Sequence, residues 1–146
     1  MKIEDVLASK GGGNIISVKP DVPMAEAIRI ASEKNIGAIV VVDDGGQLVG
    51  IVTERDVLHQ CHARIDFDRT PVADVMTPEP ITISTDMDIH YAMDLMINKR
   101  FRHLPVVSKG KFEGIITIRD LIYAIRQADR HEADTFLDYL KSKVEE

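Results

Sequence analysis

The sequence has few of the residues that crosslink a chain or anchor it in a membrane. It contains one cysteine, Cys61, and no tryptophan, and only 5% of its 146 residues are aromatic. A single cysteine excludes an intrachain disulfide and favours a reducing compartment. No run approaches the roughly 18 apolar residues of a membrane helix, and Glu4 and Asp5 interrupt the start of the chain before a signal peptide's apolar region begins. We therefore expect a cytoplasmic protein with no membrane span and no signal peptide.

An excess of positive charge is also missing. The formal net charge is −6, which argues against a general binder of nucleic acid or of anionic membranes. Any anionic ligand must therefore meet locally placed cations. The hydrophobic fraction of 45% is ordinary for a globular protein, and the length favours one compact domain with little chain left for a catalytic one.

What the sequence does contain is an internal repeat. Residues 24–31 and 89–96 align with an offset of 65 residues, and both segments carry apolar residues at i, i+3, i+4 and i+7. This spacing predicts two amphipathic helices, and Asp21 and Asp86 stand just upstream, where helix starts are expected. The predicted core positions are Met24, Ala27, Ile28 and Ala31 in the first copy, and Ile89, Ala92, Met93 and Met96 in the second.

Apolar, β-branched runs follow each predicted helix and indicate a hairpin in each copy. A turn with glycine separates the two strands of each pair, and another short strand precedes each helix. The predicted opening strands are 15–18 and 81–83; the predicted hairpin strands are 38–42 with 48–52, and 103–107 with 112–116.

Each half therefore has the order β-α-β-β-α, which predicts an α+β fold with small sheets and flanking helices. We expect a first repeat over residues 1–66, a second over 67–127 and a helical tail over 128–146. The tail carries apolar residues at helical spacing, which predicts an extra helix packed on the repeats or on a partner. Those residues are Phe136, Leu137, Leu140 and Val144.

The sequence Gly-Ile-(Val/Ile)-Thr-x-Arg-Asp occurs at 50–56 and again at 114–120, and Asp-Val-Met-Thr-Pro occurs at 74–78. These motifs resemble the CBS domain, named after cystathionine β-synthase, over roughly residues 5 to 127. The resemblance implies two repeats packed as a pseudo-two-fold pair, often called a Bateman module, and a flat homodimer. It implies a non-catalytic role without a catalytic cofactor, in which clefts between the repeats bind AMP, ADP, ATP, NAD(H) or S-adenosylmethionine.

Carried over position by position, the resemblance implies that Asp56 and Asp120 accept hydrogen bonds from the ribose diol. It also implies that Thr53 and Thr117 contact ribose or phosphate. A carboxylate suits a cis-diol, and a helix start favours an anion, so a phosphate would lie close by. Arg55 and Arg119 add guanidinium groups at the same helix starts, which can donate hydrogen bonds to a phosphate. The nearest candidates for an apolar slot that holds adenine are Ile16, Val18, Ile81 and Ile83.

The same Thr-x-x-Asp spacing is also that of a helix-capping box, in which the hydroxyl and the carboxylate bind backbone N–H groups. Capping explains the threonine and the aspartate but not the arginine between them, nor the repetition. Both interpretations stay open, and the two roles are compatible.

A group of cations begins the second strand of the second copy and has no counterpart in the first. The resemblance implies that such residues contact phosphate, whereas a solvated strand entry is the simpler interpretation. The group predicts that the two clefts are unequal, without saying which cleft it serves. Its members are Arg100, Arg102 and His103.

His59, Cys61 and His62 lie close together, but their spacing matches no common zinc pattern, so we predict a half-buried thiol and no metal site. The sequence thus favours a nucleotide sensor that signals to an unidentified regulated protein. The alternative is a structural interaction module with vestigial clefts, which dimerises and recruits a partner through the tail.

Overall fold

The computed structural model describes residues 1–11 and 15–144, and it divides them into two compact units. We call residues 15–82 and 105–114 the sheet unit. The remaining described residues, 1–11, 83–104 and 115–144, form the helical unit. The predicted α+β class, with mixed helices and small sheets, is confirmed.

The sheet unit contains a four-stranded sheet in the order β1-β2-β3-β4. Strand β1 (Ser17–Val18) runs parallel to β2 (Ala38–Val42), while β3 (Leu48–Thr53) pairs antiparallel with β2 and with β4 (Thr77–Pro78). All five residues of β2 are buried, as its β-branched run predicts. Helix α2 (Met24–Glu33) packs on this sheet, and α3 (Glu54–Ala63) follows β3 directly. The core consists of Val18, Met24, Ala27, Ile39, Val41, Val52 and Val72.

The helical unit contains α1 (Ile3–Ser9), α4 (Ile89–Lys99) and α5 (Ile118–Val144). The backbone N–H groups of Ile3 and Glu4 donate to the carbonyls of Met87 and Thr85, each at 2.9 Å, which ties α1 to the segment before α4. In α4, three of the four predicted core residues are buried, whereas Met93 is half-buried. The buried residues of the three helices are Ile3, Val6, Ile89, Ala92, Met96, Leu121 and Ala124.

The second predicted hairpin consists of β5 (His103–Ser108) and β6 (Lys111–Thr117). Its two turn residues, Lys109 and Gly110, both have positive φ, at 52° and 75°, as a type I′ turn requires. The base of this hairpin belongs to the helical unit and its tip to the sheet unit. The predicted domain boundaries follow the repeats along the sequence and not these two compact units. They remain a prediction.

The predicted opening strand of the second repeat, residues 81–83, is wrong: only Ile83 makes an isolated bridge there. In the first repeat, Ser17 of β1 pairs with Val40. The residue of β5 that corresponds to Val40 is Pro105, which has no N–H to donate to a ladder. A regular two-residue ladder is therefore harder to form in the second copy.

Two further expectations are corrected. The tail is not a separate helix, because α5 runs unbroken from Ile118 to Val144, and no glycine or proline interrupts this stretch. The helix-start residues are also wrong. Asp88 rather than Asp86 caps α4, since its side chain accepts from the His90 N–H at 2.7 Å, and Pro23 rather than Asp21 precedes α2. No helix among residues 1–11 and 15–144 is long and apolar enough to cross a membrane.

Candidate functional site

The first Thr-x-x-Asp motif forms a capping box at the start of α3. The Thr53 N–H donates to Asp56 Oδ2 at 2.8 Å, and the Asp56 N–H donates to Thr53 Oγ1 at 3.4 Å. The Thr53 hydroxyl also donates to Asp56 Oδ2, at 3.1 Å. The capping interpretation of this motif is therefore confirmed.

The second motif repeats this geometry at the start of α5. The Thr117 N–H donates to Asp120 Oδ2 at 2.9 Å, and the Asp120 N–H donates to Thr117 Oγ1 at 3.1 Å. In both motifs the threonine N–H donates to Oδ2 of the carboxylate. None of the hydrogen bonds that close the two caps goes to Oδ1 of Asp56 or to Oδ1 of Asp120. The bonds of the cap therefore use one oxygen of each carboxylate.

Lys10 lies against Asp120, and sequence reasoning missed it. The Lys10 Nζ donates to Asp120 Oδ2 at 2.8 Å and to the carbonyl of Ile115 at 2.9 Å. The lysine is 110 residues from the aspartate, so only the packing of α1 in the helical unit brings them together. The one sequence signal is a cation directly after a short helix, which by itself predicts no partner.

The environment of the Asp120 carboxylate shifts its pKa downward. Burial of the side chain by itself raises the pKa, but the hydrogen bond from Lys10 and the backbone N–H of Thr117 outweigh burial, with help from the ammonium charge. The Asp120 side chain is 21% exposed and that of Lys10 is 35% exposed. The carboxylate therefore stays ionised at neutral pH while it remains within reach of solvent.

This ion pair predicts how the stability of a Lys10→Met variant depends on pH. At pH 7 we expect the variant's free energy of unfolding to fall by up to about 1 kcal/mol, because partly exposed ion pairs stabilise weakly. Since the pKa of Asp120 is lowered in the folded state, this stabilisation exists above the unfolded pKa of about 3.9 and is lost as the pH falls through the folded pKa. The gap between wild type and variant should narrow as the pH falls below about 4, as measured by urea unfolding, and the bond from Lys10 to the Ile115 carbonyl keeps it from closing fully.

The control for this experiment is Lys34→Met, which removes the same charge at the exposed C-terminal end of α2. That variant should lose little stability at any pH. A gap between wild type and Lys10→Met that is as large at pH 3 as at pH 7 would contradict the ion-pair explanation. The effect would then come from packing of the lysine stem.

The basic group of the second repeat lies beside the start of α5 in the helical unit. The Ile118 N–H donates to the carbonyl of Arg102 at 2.9 Å. The corresponding bond in the sheet unit runs from the Glu54 N–H to the carbonyl of Gly37, at 3.1 Å. Arg102 is thus joined to the Thr117 motif, whereas the first repeat has a glycine at this position. That the two clefts are unequal stays a prediction.

The other predicted binding residues differ in exposure. Arg55, Arg100 and Arg119 are exposed, and Arg100 ends α4 with φ of 58°. Val18 and Ile83 are buried, at 6% and 4% exposure, so their side chains contribute to cores. The remaining three are half-buried or exposed, namely Ile16, Ile81 and His103.

An apolar pocket of about 350 Å³ lies within the sheet unit, next to the first motif. Helix α2, the entry to β2 and the start of α3 line it, and Thr53 and Glu54 stand among its polar groups. Its volume is within the range of small-molecule sites. Neither Ile16 nor Val18 lines this pocket. Its apolar lining instead includes Ile28, Ile36 and Val57, which were not predicted to bind a ligand.

The histidine and cysteine group on α3 does not assemble a metal site. No three His, Cys, Asp or Glu side chains converge anywhere among residues 1–11 and 15–144. Cys61 is exposed, which corrects the predicted half-buried thiol. None of the side chains of α3 is fully buried.

Comparison with known proteins places this fold and these motifs in a family. A 17.7 kDa protein from Acidianus ambivalens is 39% identical over 125 residues, which are 85% of this chain and 73% of that protein. A CBS-domain protein from Burkholderia ambifaria has a TM-score of 0.80 at 33% identity, covering 86% of this chain and 93% of the other. A CBS-domain protein from Pyrobaculum aerophilum, solved with AMP, has a TM-score of 0.74 at 25% identity, covering 82% and 89%.

Two segments of the sequence match the same family. The model of the CBS domain matches residues 3–63 and 72–127, so that each match ends beyond one Thr-x-Arg-Asp motif. The two matches together span well over half of the chain. The chain therefore belongs to the CBS domain family and carries two of its repeats.

Proposed function

We propose that this protein is a non-catalytic regulatory module that binds an adenine nucleotide at its Thr-x-Arg-Asp helix starts. The observation that carries the proposal is the pair of carboxylates that are fixed through Oδ2 and whose Oδ1 takes no part in the cap. A ribose hydroxyl donates well to a carboxylate oxygen, and a carboxylate that its cap already positions does not need to reorganise to accept it. Capping and ligand binding are then two uses of the same side chain.

Charge at the second motif supports a phosphorylated ligand. The N-terminal end of α5 is positive, and Lys10, Arg102 and Arg119 all belong to the helical unit that contains Asp120. These groups supply the local cations that an acidic protein needs to hold an anion. The AMP bound by the Pyrobaculum aerophilum relative makes AMP the first ligand to test. The other candidates are ADP, ATP, NAD(H) and S-adenosylmethionine.

Binding regulates only if the ligand favours one arrangement of the protein over another. We infer that a separate protein reads that arrangement, and that the module works as a homodimer in the cytoplasm. The apolar pocket beside Thr53 is the place in the sheet unit where an adenine ring would fit.

The test is a thermal-shift panel on purified protein with AMP, ADP, ATP, NADH, S-adenosylmethionine and GTP. A ligand at about 100 times its Kd stabilises the folded state by about 2.7 kcal/mol, so a clear rise in Tm is expected with AMP and none with GTP. Adenosine serves as the control that lacks phosphate. No shift with any adenine compound at millimolar concentration would contradict nucleotide binding.

One observation favours a second candidate function, that of an interaction module. The last turns of α5 expose large apolar side chains, with Phe136 at 60% and Val144 at 85% exposure. Such a face usually marks a surface that contacts another protein. The two functions are separated by the panel above, because a pure interaction module shows no response to nucleotides.

A further inference from the structure

The C-terminal part of α5 carries a continuous apolar stripe. Leu137 is 51% exposed and Leu140 is 42% exposed, and together with Val144 they recur at steps of three and four residues. No part of residues 1–11 and 15–144 covers this stripe. Alternating steps of three and four are the spacing of helices that pair side by side.

The stripe also forms a defined hollow. A surface depression of about 280 Å³ is lined by Leu137, Leu140, Lys141 and Val144. These are positions i, i+3, i+4 and i+7, the four residues that form the hole for one side chain of a facing helix in a coiled coil. The surface is therefore shaped for an apolar side chain on another helix.

We propose that the occupant is the same segment of a second copy of this chain, running antiparallel. In the register that places Leu137 of one copy opposite Leu140 of the other, the Leu137 side chain of each copy enters the hollow of its neighbour. The contact is self-complementary, as a two-fold interface must be, because each copy supplies one hollow and the Leu137 side chain that fills the hollow of the other. This inference goes beyond nucleotide binding and names the surface for the proposed homodimer.

Charge selects the antiparallel orientation. If Leu137 and Leu140 occupy the two core positions of a heptad, Asp134 and Lys141 both occupy the flanking position that follows the second core residue. In an antiparallel pair these positions face each other, so Asp134 of each copy meets Lys141 of the other, and two ion pairs form. A parallel pair would instead place Asp129 of one copy against Asp134 of the other, which repel.

The test uses the full chain under reducing conditions, because Cys61 is exposed and a disulfide-linked dimer would mimic the contact. Molar mass is measured by sedimentation over a series of concentrations. We expect the wild type to dimerise and Asp134→Lys to raise the dissociation constant about tenfold, because two attractive pairs become repulsive. Adding Lys141→Asp to Asp134→Lys should restore the wild-type value.

The matched control is Asp138→Lys, which makes the same charge change on the same segment but outside the pairing positions. It should leave the dissociation constant unchanged. The proposal is overturned by a monomeric wild type at all concentrations, by a dimer that Asp134→Lys does not weaken, or by a double variant that stays as weak as Asp134→Lys. Circular dichroism confirms that each variant folds, and the AMP-induced rise in Tm, measured separately, reports on nucleotide binding alone.

Discussion

Asp120→Asn is expected to weaken AMP binding roughly tenfold to a hundredfold, since a hydrogen bond to a charged group stabilises by about 1.5–3 kcal/mol. Asparagine keeps an oxygen that can accept from the Thr117 N–H, so the start of α5 should stay capped. What is lost is the carboxylate charge on the oxygen that the ribose uses. Isothermal titration calorimetry measures the affinity, and the Tm without ligand reports on the fold.

The design separates hydrogen bonding to the diol from general electrostatics. Removing a negative charge beside Lys10 would by itself favour the phosphate, so a purely electrostatic role predicts tighter AMP binding. A diol contact predicts that wild type distinguishes AMP from 2′-deoxy-AMP, whereas Asp120→Asn distinguishes them less. Asp129→Asn, on the exposed part of the same helix, is the control.

Asp56→Asn tests the corresponding carboxylate of the first repeat. If Asp120→Asn binds AMP as wild type does while Asp56→Asn fails to bind, the ligand belongs to the motif at the start of α3. If both variants keep full affinity and still distinguish the deoxy ligand, the proposed role of these carboxylates is wrong. A large fall in Tm for Asp56→Asn would show that asparagine does not replace the carboxylate in the cap, whereas in Asp120→Asn the loss of the ion pair with Lys10 also lowers Tm.

Gly50→Ala is expected to lower the free energy of unfolding by about 1–3 kcal/mol through overpacking. Gly50 is a buried residue of β3, and its backbone lies outside the positive-φ region, so an alanine fits the local conformation. The obstacle is Met76, because an added Cβ would lie 2.8 Å from its Cγ and closer still to its Sδ. The glycine of the repeated motif therefore makes room for the methionine of Asp-Val-Met-Thr-Pro.

A double-mutant cycle in urea checks this explanation. Met76→Ala removes the obstructing atoms, so it should cost less stability in the Gly50→Ala background than in the wild type. Gly45→Ala is the control, because an added Cβ there meets only Asp43 Oδ1, at 3.4 Å. Additive effects of Gly50→Ala and Met76→Ala would show that their contact does not limit the packing.

The sequence by itself determined the local structure of this protein. The apolar spacing at Met24 and Ile89 predicts α2 and α4, the β-branched run at Ala38 predicts β2, and each Thr-x-x-Asp motif predicts the cap that is observed. These features depend on side chains within one or two turns of each other or on one face of a strand. The repetition of the motifs also suffices to indicate the family.

Only the tertiary structure decided which distant residues meet. It joins Lys10 to Asp120, packs Met76 over Gly50 and places apolar space beside Thr53, and no local pattern contains these contacts. It also removes the expected strand at residues 81–83, although the apolar pattern there resembles that of β1. The physical reason is that periodicity reports which face of an element is apolar, whereas a contact across the chain depends on how separate elements pack and which backbone donors remain to pair them.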